Sequence, residues 1–339
     1  MAEHRVEGID EEPVTRWLAE RIPGFTPPLT FTLIAGGRSN LTFRVTDRKG
    51  GACVLRRPPL GHVLESAHDM GREHRIVSAL AGSEVPVPLT HGLCEDPQVN
   101  GAPFYVMSFV DGRVLHDVES AAPLPEEERY HLGLHVIDVL AKLHQIEPED
   151  VGLGNLGRRE AYLARQLKRW NRQWEATRTH EIPEMEETSR LLAARMPEQV
   201  GATIVHGDYR LGNMIVGDGR IRAVLDWELC TLGDPLADVG YLLNSWIEPG
   251  EGAAPVAPTA VGGFPARAEI CARYQSGTGR DLSGIDYYRA FSHWRLAAIG
   301  QGVYKRYLMG AMGDTSGMDL EAYKEGVQQR AAVALKLLT

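Results

Sequence analysis

The stretch TIVHGDYRLGNMIVGDGRIRAVLDWELCTLGDPLADVG (Thr203–Gly240) decides how the chain is read. It opens with a β-branched apolar run, Thr203, Ile204 and Val205, and turns polar at His206-Gly207-Asp208. Two strand-like segments follow, Met214–Val216 and Ala223–Leu225, separated by the turn residues Gly217-Asp218-Gly219. Asp226 closes the second. Asp208, Asn213 and Asp226 therefore fall at strand ends or on the loop between them. All three are oxygen donors, a set that suits a hard cation such as Mg²⁺ together with a proton acceptor. Read alone, Asp208 and Asp226 are equally compatible with turn residues that merely end strands.

The order H-x-D-x-x-x-x-N followed by a later Asp is that of the protein-kinase catalytic loop and metal-binding Asp. HGDYRLGN followed by LDWE resembles more closely the aminoglycoside phosphotransferase / choline-kinase-like family of small-molecule kinases. The resemblance implies an α+β, protein-kinase-like fold, with a small N-terminal antiparallel-sheet lobe and a larger, mainly helical C-terminal lobe. It implies ATP and Mg²⁺ as cofactors. Asp208 is then the catalytic base, Asn213 and Asp226 hold the metal, and His206 is structural. Asp238, in GDPLADVG, resembles the buried Asp that hydrogen-bonds the catalytic-loop backbone. The implied boundaries are 1–107 for the nucleotide-binding lobe, 108–112 for a hinge, and 113–339 for the catalytic and substrate lobe.

Composition agrees with that frame. A chain of 339 residues exceeds the roughly 250–300 at which single cores divide, so two lobes are expected. Its net charge of −9 argues against a general nucleic-acid or anionic-membrane binder. Cys53, Cys94, Cys230 and Cys271 are far apart in sequence, which fits neither a disulfide framework nor a zinc site. The N-terminus is acidic and has no apolar h-region, and no apolar run reaches the ~18 residues of a bilayer span. A cytoplasmic location is expected.

The N-terminal third reads as a short helix, Pro13–Arg21, then strands Leu29–Ile34 and Leu41–Thr46 around Gly36-Gly37-Arg38-Ser39-Asn40. A strand–glycine loop–strand unit can lay backbone N–H groups over nucleotide phosphates, which nominates Gly37, Ser39 and Asn40; it can also be a plain hairpin. The third strand, Ala52–Arg56, carries Arg where kinases carry the phosphate-gripping Lys. Alternation selects Arg56 over Arg57. A helix Ser66–Leu80 places Glu73 to orient Arg56, an ion pair with more directionality than Lys–Glu. A solvated Arg56 and a solvated Glu73 are the alternatives. Pro86–His91 and Phe104–Val110 supply strands four and five, and by resemblance the backbone of Ser108–Val110 meets an adenine edge.

Farther on, apolar spacing predicts helices over Pro125–Ile146, Arg158–Arg178, Glu184–Met196, Ala266–Gln275 and Asp286–Met309. His144 reads as a histidine favoured by a helix dipole. The polar face of Arg158–Arg178 holds seven basic residues against Glu160 and Glu175, either an anion-facing surface or a solvated face. Glu248–Pro265, rich in Gly, Pro and Ala, reads as a mobile loop, a lid or an inert connector.

VLRRPP, HGDYRLGN, LDWELCTLGDPLADVG and FSHWRLAAIGQGVYKRY together resemble one branch of the family. That branch comprises the phosphotransferase domains fused to, or found beside, acyl-CoA dehydrogenases, and the resemblance runs from about Phe31 to Leu337. It implies a hydroxy acid or hydroxyacyl-CoA acceptor. Arg210, two residues after the base, is expected to read an anionic substrate, with Arg295 and Arg306 adding cationic ground. The alternative is that Arg210 pairs with Asp234 or Glu228. A kinase of cationic alcohols and a nucleotide-binding pseudokinase are the competing functions.

Overall fold

A computed structural model describes residues 6–35, 40–60, 69–248, 251, 257–310 and 319–339. The expected positions Gly37 and Ser39 lie outside the described residues. Helix α1 (Glu11–Arg21) precedes strands β1 (Thr30–Ala35), β2 (Leu41–Thr46) and β3 (Ala52–Arg57). Next come α2 (Met70–Leu80), β4 (Thr90–Cys94), the single turn α3 (Pro97–Asn100) and β5 (Phe104–Ser108). The five strands form one antiparallel sheet in the order β1-β2-β3-β5-β4.

Period-two alternation sorts the side chains of this sheet onto two faces. Cys53 and Leu55 pack with Phe43, Phe104 and Val106 against Val14, Trp17 and Leu18 of α1. Val54 points the other way and clusters with Tyr105, Met107 and Met70 of α2. Arg56 shares the face of Val54, and Arg57 the face of Leu55. The fourth strand lies nearer the C-terminus than its apolar run suggests. Pro86 and Pro88 have no N–H to give a ladder, so pairing begins only at Thr90. The helix expected from Ser66 is described from Met70, with Asp69 as its N-cap accepting the Arg72 N–H.

The rest is mainly helical: α4 (Val118–Ala121), α5 (Glu126–Leu143), α6 (Tyr162–Thr177) and α7 (Pro183–Ala194). Strands β6 (Thr203–Val205), β7 (Met214–Gly217), β8 (Arg220–Val224) and β9 (Thr231–Gly233) pair antiparallel as β6-β9 and β7-β8. Helices α8 (Leu236–Ser245), α9 (Arg267–Thr278), α10 (Ile285–Leu308) and α11 (Leu320–Leu338) complete the chain. Leu132, Val136, Val139, Leu140 and Leu143 of α5 are buried in the large core, each such side chain contributing about 1.5–3 kcal/mol. Three acidic residues in the first turn of α5 and Lys142 in its last complement the helix dipole.

Four expectations change. His144 is not held by a dipole alone: it is fully buried, its Nδ1 against the Tyr274 hydroxyl at 2.7 Å and its Nε2 3.4 Å from Asp238. Two residues of the basic Arg158–Arg178 face are committed to ion pairs, Arg159 with Glu149 and Arg178 with Glu186. Within Glu248–Pro265 the described part is docked. Pro258–Val261 forms a 3₁₀ turn with Pro258 and Thr259 buried, and Glu248 and Glu251 pair with Arg267. Helix α11, which the apolar spacing did not predict, buries small residues, Ala331 and Ala334, between Val327 and Leu338. Among the described residues no helix is long and apolar enough to cross a membrane.

Candidate active site

Strand β6 delivers His206-Gly207-Asp208 to the C-terminal edge of a buried β-pair. The turn that follows is fixed from below by Asp238, on the first turn of α8. Its Oδ2 accepts the His206 N–H at 2.6 Å and its Oδ1 the Gly207 N–H at 2.8 Å. Burial works against the Asp238 charge. The His144 hydrogen bond and the nearby His and N–H groups outweigh it, holding the carboxyl below its usual range. Gly207 has φ +85°, and a Cβ there would press on the Leu229 carbonyl. The His206 Nε2–H donates to the Leu225 carbonyl at 3.0 Å while Nδ1 accepts the Asp208 N–H at 3.2 Å. His206 thus couples the loop to the strand that carries Asp226.

Asp208 is held on both carboxylate oxygens. Oδ2 accepts Asn213 Nδ2 at 2.7 Å. Oδ1 accepts the Tyr241 hydroxyl and lies 3.4 Å from Arg210 Nε. Asn213 Nδ2 also donates to the Asp208 carbonyl at 2.9 Å, which closes the short 3₁₀ turn Leu211–Asn213.

Asp226 sits at φ +64°, a left-handed conformation that a non-glycine residue seldom adopts. It meets the sheet across the cleft: Arg56 Nη2 donates to Asp226 Oδ1 at 2.7 Å and Arg56 Nε to Glu73 Oε2 at 3.0 Å. Glu73 is 2% exposed and also takes the backbone N–H of Trp227. Burial and the neighbouring Asp226 push the Glu228 carboxyl up to about 7. Glu73, Asp208, Asp226 and Glu228 gather here around Arg56 and Arg210, with Arg72 and Arg295 close by. The Asn213 amide oxygen and the Asp226 carboxylate are donors of the type Mg²⁺ takes.

Other expected residues fall differently. Asn40 Nδ2 is 3.4 Å from Glu228 Oε2. The Ser108 N–H donates to the Leu89 carbonyl at 2.7 Å and its Oγ accepts the Leu89 N–H at 3.0 Å; half-buried Val110 lies just beyond β5. Arg210 pairs with neither Asp234 nor Glu228. Asp234 is buried and holds Tyr288, Leu236 and Val200. Arg295 is at the site, donating to the Gly207 carbonyl at 3.0 Å. Arg306 is eleven residues along α10 from it, roughly 16 Å down the helix, and exposed. The sequence reading overlooked Tyr241 and Arg72, whose guanidinium donates to the Glu228 and Cys230 carbonyls. Tyr241 had a signal: it is one turn after Asp238, on the same helix face.

Comparison with known proteins places this geometry. The mouse (Mus musculus) protein named "Acyl-CoA dehydrogenase family member 10" is 38% identical over 295 residues, 84% of this chain but 27% of the longer protein. The crystal structure of a Ralstonia eutropha protein, solved as a candidate aminoglycoside phosphotransferase, superposes with a TM-score of 0.82 at 35% identity, covering 97% of this chain and 98% of that one. Aminoglycoside phosphotransferase APH(4)-Ia, solved with ADP and hygromycin B, shares the fold at a TM-score of 0.63 and 15% identity, over 96% and 98% of the two chains. The family model described as "Phosphotransferase enzyme family" matches residues 30–272. The chain belongs to the phosphotransferase enzyme family and has its kinase-like fold.

Proposed function

We propose that this phosphotransferase is a small-molecule kinase that moves the γ-phosphoryl group of ATP to a hydroxyl of an anionic acceptor, of the hydroxy-acid or hydroxyacyl-CoA class. The nucleotide sits between the sheet of residues 1–107 and the helical part from 113 onward, with 108–112 as the hinge. Arg56, oriented by Glu73, holds its phosphates. Asn213 and Asp226 hold Mg²⁺, which neutralises phosphate charge when bound. Asp208 accepts the acceptor hydroxyl's hydrogen bond and takes its proton late. A loose transition state needs little early deprotonation, so orientation matters more than basicity.

The observation that carries the substrate class is Arg210. Its guanidinium stands beside the base, 3.4 Å from Asp208 and 40% exposed. A fixed cation at the mouth of the acceptor site repels a cationic alcohol and can grip a carboxylate or phosphate bidentately. The name of the mouse relative favours an acyl substrate. Gly212 supplies a second handle, because a Cβ there would overlap Arg210 Nη1. The test is transfer from [γ-³²P]ATP across hydroxy acids, hydroxyacyl-CoAs, aminoglycosides and choline. Anionic acceptors should be labelled. Both Arg210→Gln and Gly212→Ala should raise the acyl KM by about tenfold, the value of one charge-assisted contact, with the ATP KM unmoved. Efficient labelling of a cationic alcohol, or an unchanged acyl KM in Arg210→Gln, contradicts this substrate class.

A further inference from the structure

Tyr241 projects from the second turn of α8 and donates its hydroxyl to Asp208 Oδ1. It is not a loose side chain. Arg295 of α10 lies over its ring, 5.2 Å from the centroid, and the same guanidinium donates to the Gly207 carbonyl, one residue before Asp208, at 3.0 Å. The Arg295 Nε is buried without a partner, so this guanidinium is held in a dry place for what its other nitrogens and its face do. Burial, then the Asp208 charge, keep the Tyr241 phenol well above its ordinary value, so it remains a donor at any working pH. A carboxylate has about four acceptor positions. Asn213 and Tyr241 each take one, and Arg210 stands beside the same oxygen as Tyr241.

We infer that Tyr241, braced by Arg295, is a positioning residue that fills the side of Asp208 a water would otherwise use, so that phosphoryl transfer is directed to the acceptor hydroxyl and not to solvent. The inference rests on the kinase reading above. Small-molecule kinases face this hazard because water is itself a hydroxyl acceptor at high concentration. The wasted reaction balances simply. A bond forms between the water oxygen and the γ-phosphorus, the bond to the bridging oxygen of ADP breaks, and the water proton passes to Asp208. A fixed phenol on Oδ1 takes one of the positions at which such a water could be held and oriented. The larger acceptor substrate is placed by its own contacts and approaches the remaining face.

The test is ATP hydrolysis in the absence of any acceptor, with MgATP as the only small molecule. Tyr241→Phe keeps the ring and its packing but removes the hydroxyl. Its hydrolysis should exceed that of the unaltered protein by about tenfold, the size of one hydrogen bond to a charged group. MgATP affinity and Tm should stay unchanged. The double variant Asp208→Asn/Tyr241→Phe should fall back to the original rate, because the liberated water works through Asp208. If Tyr241→Phe misfolds, Arg295→Gln unfastens the phenol and should raise the same quantity. An unraised rate, or a rise that survives in the double variant, overturns the inference. Failure of the kinase reading would show separately, as an unaltered protein that binds MgATP but labels no acceptor.

Discussion

Arg56 and Arg57 are adjacent in sequence and turn to opposite faces of β3. Arg56, facing the cleft, touches Glu73 and Asp226; Arg57, facing α1, is buried and donates to the carbonyls of Gly8 and Pro58. Arg56→Ala should weaken MgATP binding by about tenfold or more through loss of charge-assisted contacts. Arg57→Ala should leave that affinity alone and lower stability by about 1 kcal/mol, read by calorimetry and thermal unfolding respectively. The opposite pattern would give the cleft to Arg57. Strand alternation was enough to distinguish the two from sequence, because period two is rigid. Arg210's partner was not legible. The turn Leu211–Asn213 folds the guanidinium back over Gly212 toward Asp208, and a loop has no period from which to read such a direction.

Elements with a stripe of large apolar residues were legible nearly to their ends: α5 was expected over Pro125–Ile146 and spans Glu126–Leu143. Helix α11 was missed because two of its four buried residues, Ala331 and Ala334, are small and interrupt the stripe between Val327 and Leu338. The docking of Pro258–Val261 was missed because its partners are distant in sequence. Trp246 Nε1 donates to the Pro265 carbonyl at 2.9 Å, and Gly133 of α5 lies directly beneath Pro265 and Trp246. A Cβ at position 133 would overlap the Pro265 ring. Gly133→Ala, ordinarily favourable in a helix interior, should here destabilise by about 1–3 kcal/mol through overpacking. A lowered Tm checks it; a raised one would mean that the segment before Pro265 yields easily.

At the scale of the molecule, length and motif order disclosed the two-part architecture but not how the parts are tied. Helix α2 belongs by sequence to the sheet, yet Ile76, Val77 and Leu80 are buried in the large helical core. Arg72 of the same helix reaches the Glu228 and Cys230 carbonyls. The C-terminal helices add a pH-sensitive element of their own. His293 of α10 is neutral, pushed down to about 4 by burial and by Arg330, Arg289 and Arg267. Its Nδ1 is buried without a partner. The unfolded chain takes up this proton near the ordinary histidine value and the folded chain only near 4. Between those two pH values the unfolded state therefore binds more protons, and stability falls as pH drops, by up to about 3 kcal/mol. His293→Gln should flatten that part of the stability–pH curve in denaturant titrations; a difference curve with no slope there would place the burden on other groups.

One guanidinium joins Glu73 on the small lobe to Asp226 on the large one, so the cleft carries its own counter-ion. In the proposed reaction Asp226 would hold the metal with the same carboxylate whose Oδ1 accepts from Arg56. Free Mg²⁺ has to compete with Arg56 for the carboxylate. With MgATP, Arg56 would have the nucleotide phosphates as partners besides that carboxylate. On that proposal nucleotide entry would be linked to a change in what holds the two lobes together.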